Sequence, residues 1–415
     1  MACVHSPIPV PYKQTICGGL SVGAAVRVRL FVHQDASSFV INFNCGAGGC
    51  TTALHFKASQ SEQTVTLNTK ESVWKQEVKV PESFKFHRNQ YFHLVFVASD
   101  GCFEIYENGR FLTSYKYQIE VEKIDNLEID GGIVLMDVEI KKRMADDYRK
   151  TLPKSMEIGD IVAVKGFFYP GCNRFVINLI NGTCGTEDIA LVFNPRRSLG
   201  TIVLNSMQHG RWGTEDRHQM TGEWTTKTLF QVEISFTGTV FKIYIDGRWF
   251  ANFTVKGQVD IRSINVKGDA YFHDIQLLKK VDNKFVDKLP AKLELGAWIS
   301  ISGTAEPCDK EFHINLQIGD GCGHDVALNF NPSFTEKCKI LNSVIAGSRG
   351  KEEKKQTEFP FEPEDRFELL FLRLCAVFKI IVNRTFYIDF THRVDPSHVS
   401  HVQVAGDCDF YKPEY

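Results

Sequence analysis

Apolar and polar residues alternate along this chain with a period of two, in short runs broken by turn residues. In the middle third, runs rich in Val, Ile and Phe cover Ile161 to Phe168, Arg174 to Leu179, Ile189 to Asn194 and Gly200 to Asn205. Phe230 to Ser235, Val240 to Ile245 and Arg248 to Val255 continue the series, with Pro170-Gly171, Asn181-Gly182 and Asp246-Gly247 between runs. An Asp-Gly pair between two apolar runs predicts a hairpin, because a type I′ turn needs positive φ at both central positions. Asn108-Gly109 predicts the same turn earlier in the chain. No long segment has a helical period. The expected fold class is all-β, built of antiparallel sandwiches of the jelly-roll kind.

The pattern occurs three times. Phe39-Val-Ile-Asn-Phe43 returns as Phe175-Val-Ile-Asn-Leu179 and as Phe312-His-Ile-Asn-Leu316. Ala53-Leu-His-Phe56 returns as Ala190-Leu-Val-Phe193 and Ala327-Leu-Asn-Phe330. A near-constant spacing of this length is domain-sized and far longer than a solenoid repeat, so each copy should carry its own core. The charged runs Lys141 to Lys150 and Lys279 to Lys288 are read as solvated linkers. They place three tandem domains at 1–141, 152–280 and 289–415.

Composition narrows the function. The chain has 415 residues, 43% hydrophobic and 24% charged, an ordinary globular balance. A net charge of −2 argues against a duplex nucleic-acid binder, for which a basic domain is expected. No run reaches the about 18–20 apolar residues of a spanning helix, so no membrane insertion is expected. The opening Met1 to Tyr12 lacks the basic and apolar regions of a secretory signal. The twelve cysteines are therefore read as free thiols in a reducing compartment, and the sequons at Asn181, Asn252 and Asn383 as chance.

The chemistry concentrates in the second repeat. It reads Ala190-Leu-Val-Phe-Asn-Pro-Arg196, then Val203-Leu-Asn205, then Trp212-Gly-Thr-Glu-Asp-Arg217. Three linked elements in this order and spacing resemble the galectin signature H-x-N-P-R, V-x-N, W-x-x-E-x-R, and the strand pattern extends the resemblance over each whole repeat. The resemblance implies binding of β-galactosides without catalysis or cofactor. Trp212 would stack on the apolar face of galactose. Asn194 and Arg196 would meet the 4-hydroxyl and Asn205 and Glu215 the 6-hydroxyl. Arg217 would pair with Glu215. Val192, Asn194 and Arg196 lie two apart and so share a sheet face. Val192 departs from the pattern, standing where the family has histidine.

The first repeat keeps His55, Asn68, Trp74 and Glu77, but Lys57, Ser59 and Lys79 replace the asparagine and both arginines. Lysine is a point donor without arginine's planar fork, so bidentate recognition suffers. The third repeat keeps Asn331, Asn342 and Glu352. Asn329, Ser333, Arg349 and Lys354 replace the histidine, the first arginine, the tryptophan and the last arginine. The expected function is thus a lectin for β-galactoside-containing glycans on glycoproteins or glycolipids, acting chiefly through the second domain and cross-linking glycans if more than one site works. The rival is a protein-interaction scaffold, with protein partners, whose sugar sites have decayed. The resemblance implies a cytoplasmic protein that also leaves the cell by unconventional export.

Other signals carry less. Cys45 to Cys50, with Cys184 and Cys322 in the corresponding loops, lacks the further ligands of a zinc site and reads as a redox-sensitive loop. Glu215 and Asp216 are adjacent and cannot flank one bond as a glycosidase pair must. Lys351 to Lys355 reads as a solvated loop.

Overall fold

The computed structural model describes the chain except residues 1–2, 47–50, 62–63, 81–86, 170, 183–187, 221–223, 225–228, 283, 306–310, 320–324, 356–358 and 415. The loop cysteines Cys50, Cys184 and Cys322 lie outside the described residues. The regular structure of the described residues is almost all strand, with short 3₁₀ turns at Val121–Lys123, Arg197–Leu199 and Pro396–His398, and no helix is long and apolar enough to cross a membrane.

The expected strands form close to their expected bounds: Ile161–Phe168, Phe175–Asn181, Ile189–Arg196, Thr201–Gln208, Leu229–Phe236, Val240–Ile245 and Arg248–Thr254. Both predicted hairpin turns carry positive φ at both centres, Asn108 and Gly109 at 49° and 83°, Asp246 and Gly247 at 53° and 85°. The third copy turns at Asn383-Arg384 with the same signs and no glycine.

Three separate cores fill three sandwiches. In each, the Phe-x-Ile repeat points inward: Phe39, Ile41, Phe175, Ile177, Phe312 and Ile314 are fully buried. At roughly 1.5–3 kcal/mol per buried large side chain, these positions anchor each sandwich. A glycine faces the start of each repeat. A Cβ added to Gly131, Gly268 or Gly406 would lie 2.5, 2.8 and 2.5 Å from the Cα of Phe39, Phe175 and Phe312, and each glycine has positive φ. Only glycine permits that approach.

One sheet of each module is free-standing. The first comprises Tyr12–Thr15, Asn126–Gly131, Ser38–Cys45, Thr51–Ser59, Thr64–Lys70 and Val78–Lys79, and the other modules repeat this arrangement. The opposite sheets meet at the centre of the molecule. Those of the second and third modules join edge to edge, Ala270–Val281 pairing with Asp409–Glu414 to make one 11-stranded sheet. The segment Cys3–His5 adds a strand to the third module at Trp298–Ser300. Phe31, Tyr91 and Met136 of the first module pack on Trp298, Leu370 and Leu372 of the third, while Val95 and Tyr106 pack on Phe167 of the second.

The charged runs read as linkers are strands. Asp147–Thr151 pairs with Ile261–Gly268, and Lys284–Lys288 with His401–Gly406. Their alternating exposure, with Tyr148 and Phe285 turned to the cores, is that of a charged edge strand, which composition alone does not separate from a solvated segment. Lys351 to Lys355 departs from its reading in the same way: Glu353–Lys355 pairs with Cys338–Ile345.

Charge also lies inside the three-way junction. Arg27 and Arg29 alternate with apolar residues on Ala25–Val32, a pattern that reads as solvent-facing. Arg27 instead pairs with Glu139 at 3.5 Å and reaches His273 Nδ1 at 3.3 Å. Arg29 pairs with Asp137 at 3.8 Å and with Glu368 of the third module at 3.2 Å. Between the second and third modules Arg366 donates to Glu233 at 3.1 Å and to Thr304 Oγ1 at 3.2 Å. Burial, and next the charge of Arg27, pushes Lys165 down to about 8.

Candidate functional site

Each free sheet carries one strip of polar residues across three adjacent strands. The strip follows from alternation. On Ile189–Arg196, Leu191 and Phe193 enter the core, so Val192, Asn194 and Arg196 face outward. Antiparallel register then sets Val192 opposite Asn205, and Val203 opposite Arg217. The first module reproduces this as His55 opposite Asn68, with Lys57, Thr66 and Lys79 in one row. The third does so with Asn329 opposite Asn342, and Asn331, Ile340 and Lys354 in one row.

In the second module the strip is tied together by charge. Glu215 accepts from Arg196 Nη2 at 2.7 Å and from Arg217 at 2.6 and 2.9 Å. Those hydrogen bonds, from Arg196 first and then Arg217, hold Glu215 below the usual carboxylate range. Arg196 Nε also donates to Asn194 Oδ1 at 3.0 Å. Asn194 is itself buried, its Nδ2 donating to Phe175 O at 2.5 Å. It therefore orients arginine rather than presenting an edge to solvent.

Trp212 stands at the end of the strip with 58% of its surface exposed. Its loop is pinned by two bonds. Asn205 Nδ2 donates to Gly213 O at 3.0 Å, and Gly213 N donates to Ser206 O at 2.9 Å. The second bond recurs as Lys75 N to Thr69 O beside Trp74, and as Gly350 N to Ser343 O beside Arg349. An exposed flat ring beside a row of fixed donors and acceptors is suited to a ligand with one apolar face and several hydroxyls.

The sequence did not reveal Arg174. It precedes the Phe-Val-Ile-Asn repeat on the neighbouring strand and belongs to no motif. Its Nε shares Asn194 Oδ1 with Arg196, at 3.1 Å. The histidine position has a partner that sequence also left unassigned, the asparagine of the Phe-x-Ile-Asn repeat. Asn42 Oδ1 lies 2.6 Å from His55 Nδ1, and Asn315 Oδ1 accepts from Asn329 Nδ2 at 2.6 Å. Beside Val192, Asn178 turns its Nδ2 to Asn265 Oδ1 at 3.0 Å.

The first module keeps the platform and loses the clamp. Trp74 is 49% exposed, and its ring centre lies 4.9 Å from that of His55 and 5.7 Å from Lys70 Nζ. Glu77 lies exposed on the short outer segment. In the third module the charges pair otherwise. Lys354 bonds Glu336, a loop residue, rather than Glu352. Arg393 arrives from the bend after Thr385–Thr391 and donates to Asn342 Oδ1 at 3.2 Å and Glu353 Oε1 at 2.7 Å. His313 faces the same row as Asn331, one strand over, so this module carries an imidazole that its motif residues do not announce.

The sequence profile described as galactoside-binding lectin matches three times, at residues 11–140, 147–277 and 284–414. A 32 kDa beta-galactoside-binding lectin of Caenorhabditis elegans is 31% identical over 276 residues, covering 66% of this chain and 97% of that protein. A protein of the same description from Haemonchus contortus is 30% identical over 264 residues, covering 63% and 91%. The solved structure of Caenorhabditis elegans galectin LEC-6 aligns with a TM-score of 0.31 at 24% identity, over 34% of this chain and 96% of that one.

Proposed function

Because the chain belongs to the galactoside-binding lectin family, with three tandem copies of its domain, we propose that it binds β-galactoside-containing glycans, chiefly at the second module. The observation that carries this reading is the Arg196–Glu215–Arg217 clamp beside exposed Trp212. A carboxylate saturated by two guanidiniums leaves their remaining N–H groups fixed in direction, and fixed donors bind hydroxyls without the entropy cost of ordering long side chains. In this reading Trp212 takes the apolar sugar face, Arg196 and Arg217 take hydroxyls, and Asn194 acts through Arg196. Asn205 holds the tryptophan loop, its Nδ2 donating to Gly213 O and its Oδ1 accepting from Ser206 N at 2.8 Å. The relatives are named as lectins, and no turnover is proposed.

The central packing supports a cross-linking role. The sheets that meet at the junction are those opposite the polar strips, so the strips face away from one another on one body. Two occupied strips would hold two glycans apart without any second chain. The third module is read as structural, since Glu336 and Arg393 occupy groups that the clamp would need.

Calorimetric titration with lactose and N-acetyllactosamine tests the reading, beside a Trp212→Ala, Arg196→Ala double variant. Saturable binding that drops steeply in the variant is expected. Absence of heat, with no retention on a galactose matrix, would sink the galactoside reading and favour the scaffold.

A further inference from the structure

One edge of the third module is completed by a segment that belongs to none of its own strands. In the first module the last strand, Ile133–Lys141, pairs with Ala25–Val32 along its whole length. In the second, residues 270–278 pair along the whole of Ile161–Phe168. The third module departs from this. Asp409, Phe410 and Tyr411 pair with Thr304, Gly303 and Ser302, and residues 412–414 then pair with residues 277–279 of the second module. Residues 298–300 take Cys3–His5 instead, with His5 opposite Trp298. Left open, this edge would present unpaired N–H and C=O groups next to buried Trp298 and Ile299.

The same segment is anchored to the first module. Ile8 N donates to Leu135 O at 2.8 Å, and Ile8 packs against that module's core. Pro7 lies between the two modules. A Cβ added to Gly296 of the third would stand 3.2 Å from Pro7 Cγ and 3.3 Å from Val134 Cγ1 of the first. Gly296 has a φ of 81°, so this approach suits glycine. The contacts gather on Trp298. His5 stacks on it, with ring centres 3.9 Å apart and planes 14° from parallel. Trp298 Nε1 donates to Met136 O at 3.4 Å, and the Arg29 guanidinium lies 5.8 Å from the ring centre. The ring packs with Phe31, Tyr91 and Met136 of the first module rather than in the core of its own. The same strand position holds Ala25 in the first copy and Ile161 in the second, so a ring here is particular to the third.

We propose that residues 3–8 are a latch that closes the three modules into a ring. Chain order ties the first module to the second and the second to the third. The latch supplies the backbone tie from the first to the third. Closed, it fixes the orientation of the first module's strip relative to the other two. Open, it leaves the first module held to the third by side chains alone. Cys3–His5 pairs with no strand of its own module, so it can part from residues 298–300 without unfolding any sandwich. The latch does not depend on which ligand the strips take.

The test compares the full wild-type chain with a Val4→Pro, His5→Pro double variant and with His5→Phe. Neighbouring residues of a strand direct their N–H groups to opposite sides, so two adjacent prolines remove whichever one faces residues 298–300. The variants are read by hydrogen exchange and small-angle scattering. In the double variant the amides of residues 298–300 that face the latch are expected to exchange about tenfold or more faster, while Phe312–Ile318 of the same module is unchanged. Its radius of gyration is expected to rise above that of wild type. His5→Phe keeps a flat ring and is expected to match wild type in both measurements. Unchanged exchange at residues 298–300 overturns the proposal, because the strand is then not held there. Faster exchange at that edge with a wild-type scattering profile overturns it too, because the strand then caps an edge without holding the modules together.

Discussion

The substitution Val192→His turns the departure from the family pattern into a measurement. Val192 is buried opposite Asn205 on one strand and Asn178 on the other. Asn178 uses its Nδ2 on Asn265, which leaves its carboxamide oxygen free to accept. Asn315 at the equivalent place donates to Gln403 at 2.8 Å while accepting from Asn329, so both bonds are compatible with one asparagine. A histidine at 192 would therefore find its Nδ1 partner in place, as His55 does in Asn42, and present Nε2 to the ligand. One added hydrogen bond contributes about 0.5–1.5 kcal/mol, or about two- to twelvefold in affinity. Losing valine packing costs no more than about 2 kcal/mol of stability. Lactose titration of Val192→His against wild type, both carrying Trp74→Ala to silence the first module, should show that gain. An unchanged or weaker dissociation constant in a protein with the parent's melting temperature would refute the idea that valine is what weakens this site.

Three further outcomes are expected. Trp212→Ala alone should weaken lactose binding about tenfold or more while leaving the thermal transition in place, read by calorimetry and melting, because the ring is exposed and supports no core. Arg366→Ala strands the buried carboxylate of Glu233 and should cost about 3–5 kcal/mol in urea unfolding, whereas Arg366→Met with Glu233→Leu should recover most of it. Acid should loosen the junction. Burial above all, then neighbouring arginine and lysine charges, lowers His93 and His273 well below 6.5, so protonation favours the unfolded chain. Their contribution is complete above about pH 6.5 and is lost as pH falls below it towards the folded-state value. A urea midpoint that is the same at pH 7.5 and 5.5 would contradict this.

Much of this architecture was legible in the chain because it is written in local periods. Alternation gave the strands, Asn108-Gly109 and Asp246-Gly247 gave the hairpins, and the thrice-repeated Phe-x-Ile-Asn gave three cores. The motif residues converge because side chains two apart share a face and antiparallel register aligns Asn194 with Val203 and Arg217. What escaped is whatever depends on partners far along the chain. Arg174, just before the strand Phe175–Asn181, and Arg393, in the bend after Thr385–Thr391, reach their sites from elsewhere in the chain, and no spacing rule connects them to Asn194 or Asn342. The runs after Lys141 and Lys279 read as linkers because charge marks both a solvated segment and a protected edge strand, and only the neighbouring strand distinguishes them. Arg27 and Arg29 carry the alternation of a solvent-facing sheet, yet the second and third modules cover them and supply His273 and Glu368 as partners. The sequence by itself determined three sandwiches and the motif residues that fall together on one outward strip of each. Tertiary structure alone decided that the three form one body with the strips outward, because burying a sheet face depends on which surface arrives to cover it.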